Sequence, residues 1–249
     1  MSDQESFISH LIELRERLIR ATAAVLVLFI ALFFYPGSGA IYDFLALPLM
    51  SALPEGAKMI ATGVITPFMV PVKVTALVAF LIALPYVLYQ AWAFVAPGLY
   101  EHEKKLALPL VIGSTVLFLL GVAFCYYFVF GRVFAFIHGF APKSITPAPD
   151  IEAYFSFVIT MFMAFGVTFE IPIVVIILVR MGIVSIDKLR HARPYVIVGA
   201  FIVAAVVTPP DVVSQFMLAV PMCLLYEAGL IMGRFVSPPK AEAEPLTDS

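Results

Sequence analysis

The sequence predicts an all-α integral membrane protein: a concave bundle of six transmembrane helices, with both termini in the cytoplasm and with short last two helices. The first observation behind this prediction is composition. Of the 249 residues, 62% are hydrophobic and 13% are charged, and the mean hydropathy is +1.03. Soluble domains carry about 25% charged residues, so the composition excludes that class. The second observation is a series of separate apolar runs along the chain.

The apolar runs have the character of membrane spans, which need about 20 residues to cross a hydrocarbon core about 30 Å thick. They cover residues 18–35, 74–95, 106–130, 155–181, 195–207 and 212–232. The fifth run would be only about 20 Å long as a helix, and the TPPD sequence at 208–211 turns the chain straight back. We therefore expect the last two helices to be short, with either a thinned bilayer or shielding by neighbouring helices.

Lysine and arginine residues predict the orientation, because they are retained in the cytoplasm when loops are short. Of the 15 such residues, 11 fall on the side of the termini and 4 on the other side. Both termini are therefore predicted to be cytoplasmic. Acidic residues precede the first run and no A-x-A-like site follows it, so we expect this span to be retained rather than cleaved as a signal peptide.

The segment before the first span predicts an amphipathic helix that lies along the cytoplasmic interface. Apolar residues recur at helical spacing between positions 7 and 18. Glu13 and Arg17, and likewise Glu16 and Arg20, are spaced as i, i+4 ion pairs. Two interpretations stay open at this point, a solvated face carrying weak ion pairs and a binding surface.

The two outer loops are predicted to be structural. The first, residues 36–73, contains an apolar stretch at 41–53 that suggests a short amphipathic helix capping the outer face. The second, residues 138–153, is marked by prolines and ends near Asp150, which can cap the next span.

Further proline residues and the tail complete the organisation of the chain. We assign structural roles to Pro48, Pro85 and Pro97. Residues 237–249 are polar and contain proline, which predicts a disordered tail. Residues 1–236 are then one membrane domain.

Glu170 is the only charge in the apolar run 155–179, roughly 14 Å from its end and so near the middle of a bilayer core. A carboxylate there costs at least a few kcal/mol and usually faces a polar cavity or a partner. The alternative is a protonated side chain bonded to a carbonyl freed by Pro172. Asp211 most simply caps the last helix, and Gln215 follows one turn later on the same face, so this pair could also hold a partner helix.

The sequence gives no indication of enzyme chemistry. It contains no G-x-x-x-x-G-K-[ST] phosphate loop and no recognisable nucleophile motif. The two cysteines lie in different spans, and the four histidines lack the paired spacing of zinc ligands. We therefore expect no catalytic residue, no metal and no cofactor, and we expect the bilayer rather than nucleic acid to be the partner that composition implies.

Five stretches of the chain resemble, in order and spacing, the TatC family of the twin-arginine protein translocase. They are HLIELRERL at 10–18, MIATGVITPFMVPVK at 59–73, AWAFVAPGLYEHEKK at 91–105, FMAFGVTFEIPI at 162–173 and RPYVIVGAFIVAAVVTPPDVVSQ at 193–215. The resemblance implies a receptor subunit in the bacterial inner membrane that binds twin-arginine signal peptides of folded proteins at its cytoplasmic face. It also implies assembly with TatB, recruitment of TatA, several copies of the chain in the receptor complex, and export driven by the proton-motive force.

The resemblance further implies which residues form the site. By match of motif, Glu13 and Glu103 receive the arginines of the signal. The residues that shape or flank the site are Arg15, Arg17, Phe94, Leu99 and Tyr100. The residues that match polar positions of the family within the membrane are Glu170, Asp211 and Gln215. The rival interpretation is a proton-coupled small-solute transporter in which Glu170 carries the proton, although it leaves the acidic, aromatic stretch at 91–105 unexplained.

Overall fold

The computed structural model describes residues 3–51, 58–95, 107–140 and 148–236, and most of these residues are helical. The helices are α1 (Asp3–Leu32), α2 (Ser38–Met50), α3 (Thr66–Val95), α4 (Ala107–Phe124), α5 (Phe130–Phe140), α6 (Ile151–Phe169), α7 (Ile171–Arg180), α8 (Ile186–His191), α9 (Arg193–Val207) and α10 (Val212–Val236). Within the described residues, five helical segments are long and apolar enough to cross a membrane, and α9 is a shorter apolar helix. The predicted all-α fold with six apolar spans is thus confirmed.

Helix α1 differs from the sequence prediction at its beginning. The segment predicted to lie along the interface is instead the first part of one uninterrupted helix of 30 residues, about 45 Å long. The helix continues because none of its residues is proline or glycine. It packs along α3, so its charged first half extends the first span beyond the apolar run.

The chain turns from α1 into α2 through a kink at Phe33–Gly37, where Tyr35 has an extended backbone and Gly37 has a φ of 97° that favours glycine. Helix α2 confirms the predicted short helix in the first outer loop. It buries Ile41, Leu45 and Leu49, spaced four residues apart, and it packs against α3 and α5. The helix therefore adds apolar surface to the core of the bundle.

Pro48 lies inside α2 and cannot donate a hydrogen bond to the carbonyl of Phe44, four residues earlier. The hydroxyl of Tyr126 donates to that carbonyl at 2.8 Å. Tyr126 belongs to the π-helical segment Cys125–Val129 that joins α4 to α5. The bond therefore ties α2 to this segment, and it supports the predicted structural role of Pro48.

Removing this hydroxyl in Tyr126→Phe is expected to lower the free energy of unfolding by about 1 kcal/mol, because the Phe44 carbonyl loses its donor. Tyr127→Phe is the matched control, since Tyr127 is the next residue and its side chain is exposed. Denaturant titration of the purified protein measures both changes. In a Pro48→Ala background the backbone N–H at position 48 can serve the carbonyl instead, so Tyr126→Phe should cost clearly less there. An equal cost in both backgrounds would contradict this account.

Helix α6 lies at the centre of the core. Its buried residues recur at helical spacing and contact α3, α4, α9 and α10. Large aromatic rings dominate, among them Phe155, Phe162 and Phe165, which are almost fully buried. Phe162 stacks on Phe130 of α5, with ring centroids 5.5 Å apart. The aromatic content that the sequence shows therefore fills the interior rather than only the membrane interface.

The first outer loop is bound to the start of α6 by an isolated β-bridge between Ile60 and Asp150. Asp150 caps α6, as predicted, by accepting from the backbone N–H groups of Glu152 and Ala153. It also accepts from the N–H and hydroxyl of Thr62, at 3.1 and 2.8 Å. These bonds, above all the one from Ala153, hold the pKa of Asp150 below its ordinary value. The two outer loops thus form one connected structure.

The last two spans differ in length. Helix α9 has 15 residues, about 22 Å, and is short as predicted. Helix α10 has 25 residues, about 37 Å, because it continues past the predicted end of the run to Val236. The prediction of a short last helix is therefore wrong for α10, and only α9 is shorter than a bilayer core of about 30 Å.

Candidate functional site

The first half of α1 meets the last turn of α3. The imidazole ring of His10 stacks on the phenyl ring of Phe94, with ring centroids 4.3 Å apart and an angle of 26° between the planes. Glu13 follows His10 by three residues, which places it on the same side of α1. The structure thus places Glu13 and Phe94, two residues that the resemblance assigns to the site, where α1 meets the end of α3.

Charged side chains cover this part of α1. Arg17 donates to Glu13 from Nε at 2.9 Å and from Nη2 at 2.6 Å. Arg15 is exposed, and the exposed Arg20 contacts Glu16 at 3.4 Å. Both predicted i, i+4 pairs are therefore confirmed, and the surface carries carboxylates and guanidinium groups in close contact.

The other residues predicted for this site lie outside the described part of the chain. They are Leu99, Tyr100 and Glu103, together with Pro97. The structure describes α3 up to Val95 and resumes at Ala107, the first residue of α4. The stretch that carries these residues therefore connects the end of α3, where Phe94 meets His10, to α4.

Glu170 lies at a break in the fourth apolar run, between the end of α6 and the start of α7. Pro172 lies in the first turn of α7. This position explains the break, because proline suits the first turn of a helix and not its interior. The Glu170 carboxyl group lies beside the Ser114 hydroxyl of α4. The Oε1 atom of Glu170 is buried and has no partner among the described residues.

Ser114 links Glu170 to a residue that the sequence analysis did not assign to the site. The indole Nε1 of Trp92 donates to the Ser114 hydroxyl at 3.2 Å. Trp92 is the only tryptophan of the chain and lies two residues before Phe94. A buried serine in the apolar helix α4 and a single tryptophan at the end of α3 are the signals that could have indicated this contact. The bond of Trp92 with Ser114 therefore joins α3 to α4 beside the α6–α7 break that carries Glu170.

The other two predicted polar residues lie near the turn between α9 and α10, Asp211 in the turn and Gln215 in the first turn of α10. Asp211 accepts from the backbone N–H of Ser214 at 2.7 Å, which is the predicted cap of α10. Its Oδ2 atom and the Ser214 hydroxyl are buried without a partner among the described residues. Gln215 donates to the carbonyl of Phe201 at 3.3 Å and so ties α10 back to α9. Both residues thus stabilise the hairpin, and neither contacts the Glu13 end of the molecule.

The described residues also include side chains of the types that bind metals. No cluster of three or more histidine, cysteine, aspartate or glutamate side chains is close enough to hold an ion there.

Comparison with known proteins gives a consistent result. The family model described as Sec-independent protein translocase protein (TatC) matches residues 9–221. The chain is 49% identical to the Sec-independent protein translocase protein TatC of Haemophilus influenzae over 98% of this chain and 94% of that protein. It is 46% identical to the protein of the same name from Escherichia coli K12, over 94% and 90% of the two chains.

Solved structures agree with these relatives. The fold is similar to a crystal structure of the twin arginine translocase receptor TatC, with a TM-score of 0.79 at 37% identity, over 91% of this chain and 99% of that one. The same receptor crystallised in the detergent DDM gives a TM-score of 0.80 at 36% identity. The comparisons give no support to a small-solute transporter.

Proposed function

The chain belongs to the TatC family of Sec-independent protein translocase proteins, and from this premise we propose that it is the signal-peptide receptor of a twin-arginine translocase. In this proposal the chain binds the twin-arginine signal peptides of folded proteins and hands the cargo to the export machinery. It performs no bond chemistry of its own, so it is a transport protein rather than an enzyme. The energy for export comes from the proton-motive force.

The contact between His10 and Phe94 is the observation that carries this proposal. It holds the side of α1 that carries Glu13 against the end of α3, where the stretch containing Leu99, Tyr100 and Glu103 begins. Two carboxylates on separate segments can then receive two arginines, while an aromatic and apolar surface beside them receives the rest of the signal. Glu13 and Glu103 are the carboxylates, and Phe94, Leu99 and Tyr100 supply the surface.

The chemistry of this pair favours arginine over lysine. A guanidinium presents a planar fork of N–H groups that forms two charge-assisted bonds with a carboxylate, whereas an ammonium is a compact point charge. The arginine side chains of a signal can therefore form paired hydrogen bonds with Glu13 and Glu103, which lysine side chains cannot form. The apolar segment of the signal then continues along the helices towards Glu170.

Partner subunits are proposed to pack on the α9–α10 hairpin. An apolar groove of about 560 Å³ runs between α6, α9 and α10. It is lined by residues such as Met163, Val203 and Met222, which a single apolar helix can cover. Because α9 is about 22 Å long, a neighbouring span beside it also shields its ends from a distorted bilayer. We assign this surface to the single-span subunits TatB and TatA, with Asp211 and Gln215 at its edge.

The proposed setting is the bacterial inner membrane with both termini in the cytoplasm. This orientation puts the Glu13 end of α1 and the stretch between α3 and α4 on the cytoplasmic side, where a folded cargo first meets the membrane. Residues 1–236 form the membrane domain and residues 237–249 form a disordered cytoplasmic tail. Several copies of the chain share the receptor complex.

Photocrosslinking in membranes tests the receptor proposal. A crosslinking side chain is placed at Phe94 or Glu103, and at Asp43 of α2 as the control, an exposed residue next to the opposite end of α1. A signal peptide with Arg-Arg is expected to crosslink from the first two positions and not from Asp43. The same peptide with Lys-Lys is expected to crosslink far less. Equal crosslinking of both peptides, or none at Phe94 and Glu103, would remove the receptor assignment from this end of the molecule.

A further inference from the structure

Arg17 makes a closer contact with Glu13 than an ordinary surface ion pair. Its Nε and Nη2 atoms both donate to one carboxylate oxygen, Oε1, at 2.9 and 2.6 Å. The two side chains are partly buried, with exposed fractions of 22% for Arg17 and 34% for Glu13. A guanidinium therefore already occupies the carboxylate to which the proposed function assigns an arginine of the signal.

The same helix contains a matched pair for comparison. Arg20 and Glu16 have the same spacing, but they meet through one contact of 3.4 Å, and their side chains are 59% and 60% exposed. Spacing alone thus does not produce the contact at Glu13. Exposed pairs of this kind contribute little because solvent screens them and both side chains lose freedom.

We propose that Arg17 is a resident competitor that sets the affinity of the site for cationic signals. The inference rests on the proposed function of Glu13. A signal arginine either displaces Arg17 from Oε1 or binds Oε2 beside it. In the first case two charge-assisted bonds of Arg17 must break, and in the second case two like charges come together. Arg17 opposes binding in both cases.

The consequence for selectivity follows from the thermodynamic cycle. Arg17 opposes any cationic signal, either through the bonds that must break or through the repulsion of like charges, so its removal raises the affinities for Arg-Arg and Lys-Lys signals by a similar factor. Their ratio stays close to its original value. The absolute affinity for Lys-Lys then rises to a level at which a weak signal is captured. Arg17 is in this sense a threshold residue, which excludes signals whose contacts are too weak to compete with it.

A structural role of Arg17 predicts the opposite sign. If Arg17 only held the Glu13 carboxylate in position, its removal would lower the affinity for both signals, because the carboxylate would lose its orientation. If it only stabilised α1, thermal unfolding would change and affinity would not. The direction of the change in affinity therefore separates the three roles.

Titration of the full chain in nanodiscs with fluorescent Arg-Arg and Lys-Lys signal peptides provides the test. Arg17→Gln is expected to bind both peptides about threefold to tenfold more tightly than the unmodified chain. Arg20→Gln is the control, because it removes the same charge from the exposed pair one turn after Arg17. The affinities of this variant for both peptides should change by less than about twofold. Arg17→Lys keeps the charge but not the planar fork, so its affinities should lie between those of the unmodified chain and Arg17→Gln.

The outcomes separate this inference from the receptor proposal. If the unmodified chain binds Arg-Arg and Lys-Lys equally, or binds neither, the receptor proposal fails. If it prefers Arg-Arg but Arg17→Gln binds no better than Arg20→Gln, the receptor proposal stands and the competitor inference is overturned. An equal gain for Arg17→Gln and Arg20→Gln also overturns it, because a general charge effect would then explain the change.

Discussion

Replacing Gly121 with alanine is expected to lower the free energy of unfolding by about 2 to 3 kcal/mol, the range of overpacking in a close-packed interior. Gly121 lies in α4, where it faces the backbone of α6. A Cβ atom at this position would lie 2.5 Å from the backbone carbonyl oxygen of Phe165 and 2.9 Å from Cγ of Phe169. A backbone oxygen cannot rotate away as a side chain can, so the helices must separate.

Gly113 offers the matched control on the same helix. A Cβ atom there would make an ordinary contact of 3.5 Å with Ile173 Cδ1, so Gly113→Ala should be neutral or slightly stabilising. Chemical unfolding of the purified protein in one detergent compares the two variants directly. Equal stability of Gly113→Ala and Gly121→Ala would show that α4 and α6 can move apart without cost, and it would contradict the packing described for the core.

This close approach illustrates what the sequence could not predict. Hydropathy located every span because the bilayer demands an apolar run of a certain length, and this requirement is local to each run. The contact of Gly121 with the backbone of Phe165 joins residues far apart in the chain. Glycine in a membrane helix suggests close packing in general, but its spacing does not say which neighbouring helix approaches it.

Rules that depend only on neighbouring residues also predict the caps at two helix starts. The capping of α6 by Asp150 and of α10 by Asp211 follows from residue type and position alone, and both caps are present. The sequence does not predict that the first amphipathic segment and the first span form one helix, α1. An amphipathic pattern describes one face of a helix and does not say whether that helix continues into the next apolar run.

The candidate site was predictable only in part, for the same reason. The ion pair of Glu13 with Arg17 follows from i, i+4 spacing, although spacing did not distinguish it from the weaker pair of Glu16 with Arg20. The stacking of His10 on Phe94 is a contact between helices and has no local signature. The role of Glu103 remains a prediction, since it lies outside the described residues.

Replacing Glu170 with leucine is expected to leave the fold as stable as before, or more stable, while export falls by at least about tenfold, which corresponds to about 1.4 kcal/mol. The Oε1 atom of Glu170 is buried without a described partner, and an unpaired buried oxygen costs about 1 to 3 kcal/mol. Leucine removes this cost. Because Glu170 lowers the stability of the fold in this way, a role in transport explains its place in the middle of a span better than a role in folding does.

Two further variants separate hydrogen bonding from charge at this position. Glu170→Gln keeps an acceptor for Ser114 but cannot ionise, so it should retain more export than leucine if the Ser114 contact matters. Ser114→Ala removes the hydroxyl that accepts from Trp92 and lies beside Glu170, while leaving the carboxyl group in place. Export of a twin-arginine reporter protein across the membrane, normalised to the amount of receptor, measures all three variants.

The single tryptophan allows the network to be observed directly. Because Trp92 is the only tryptophan, the intrinsic emission of the purified chain reports on the residue that donates to Ser114. Glu170→Leu should change this emission, since the carboxyl group beside Ser114 is lost, whereas Glu227→Leu should not, because Glu227 pairs with Arg193 instead. Normal export by Glu170→Leu, with unchanged Trp92 emission, would show that Glu170 only packs and has no role in transport. Loss of export together with a changed emission and undiminished stability would make the link from the end of α3 to the middle of the membrane part of the transport mechanism.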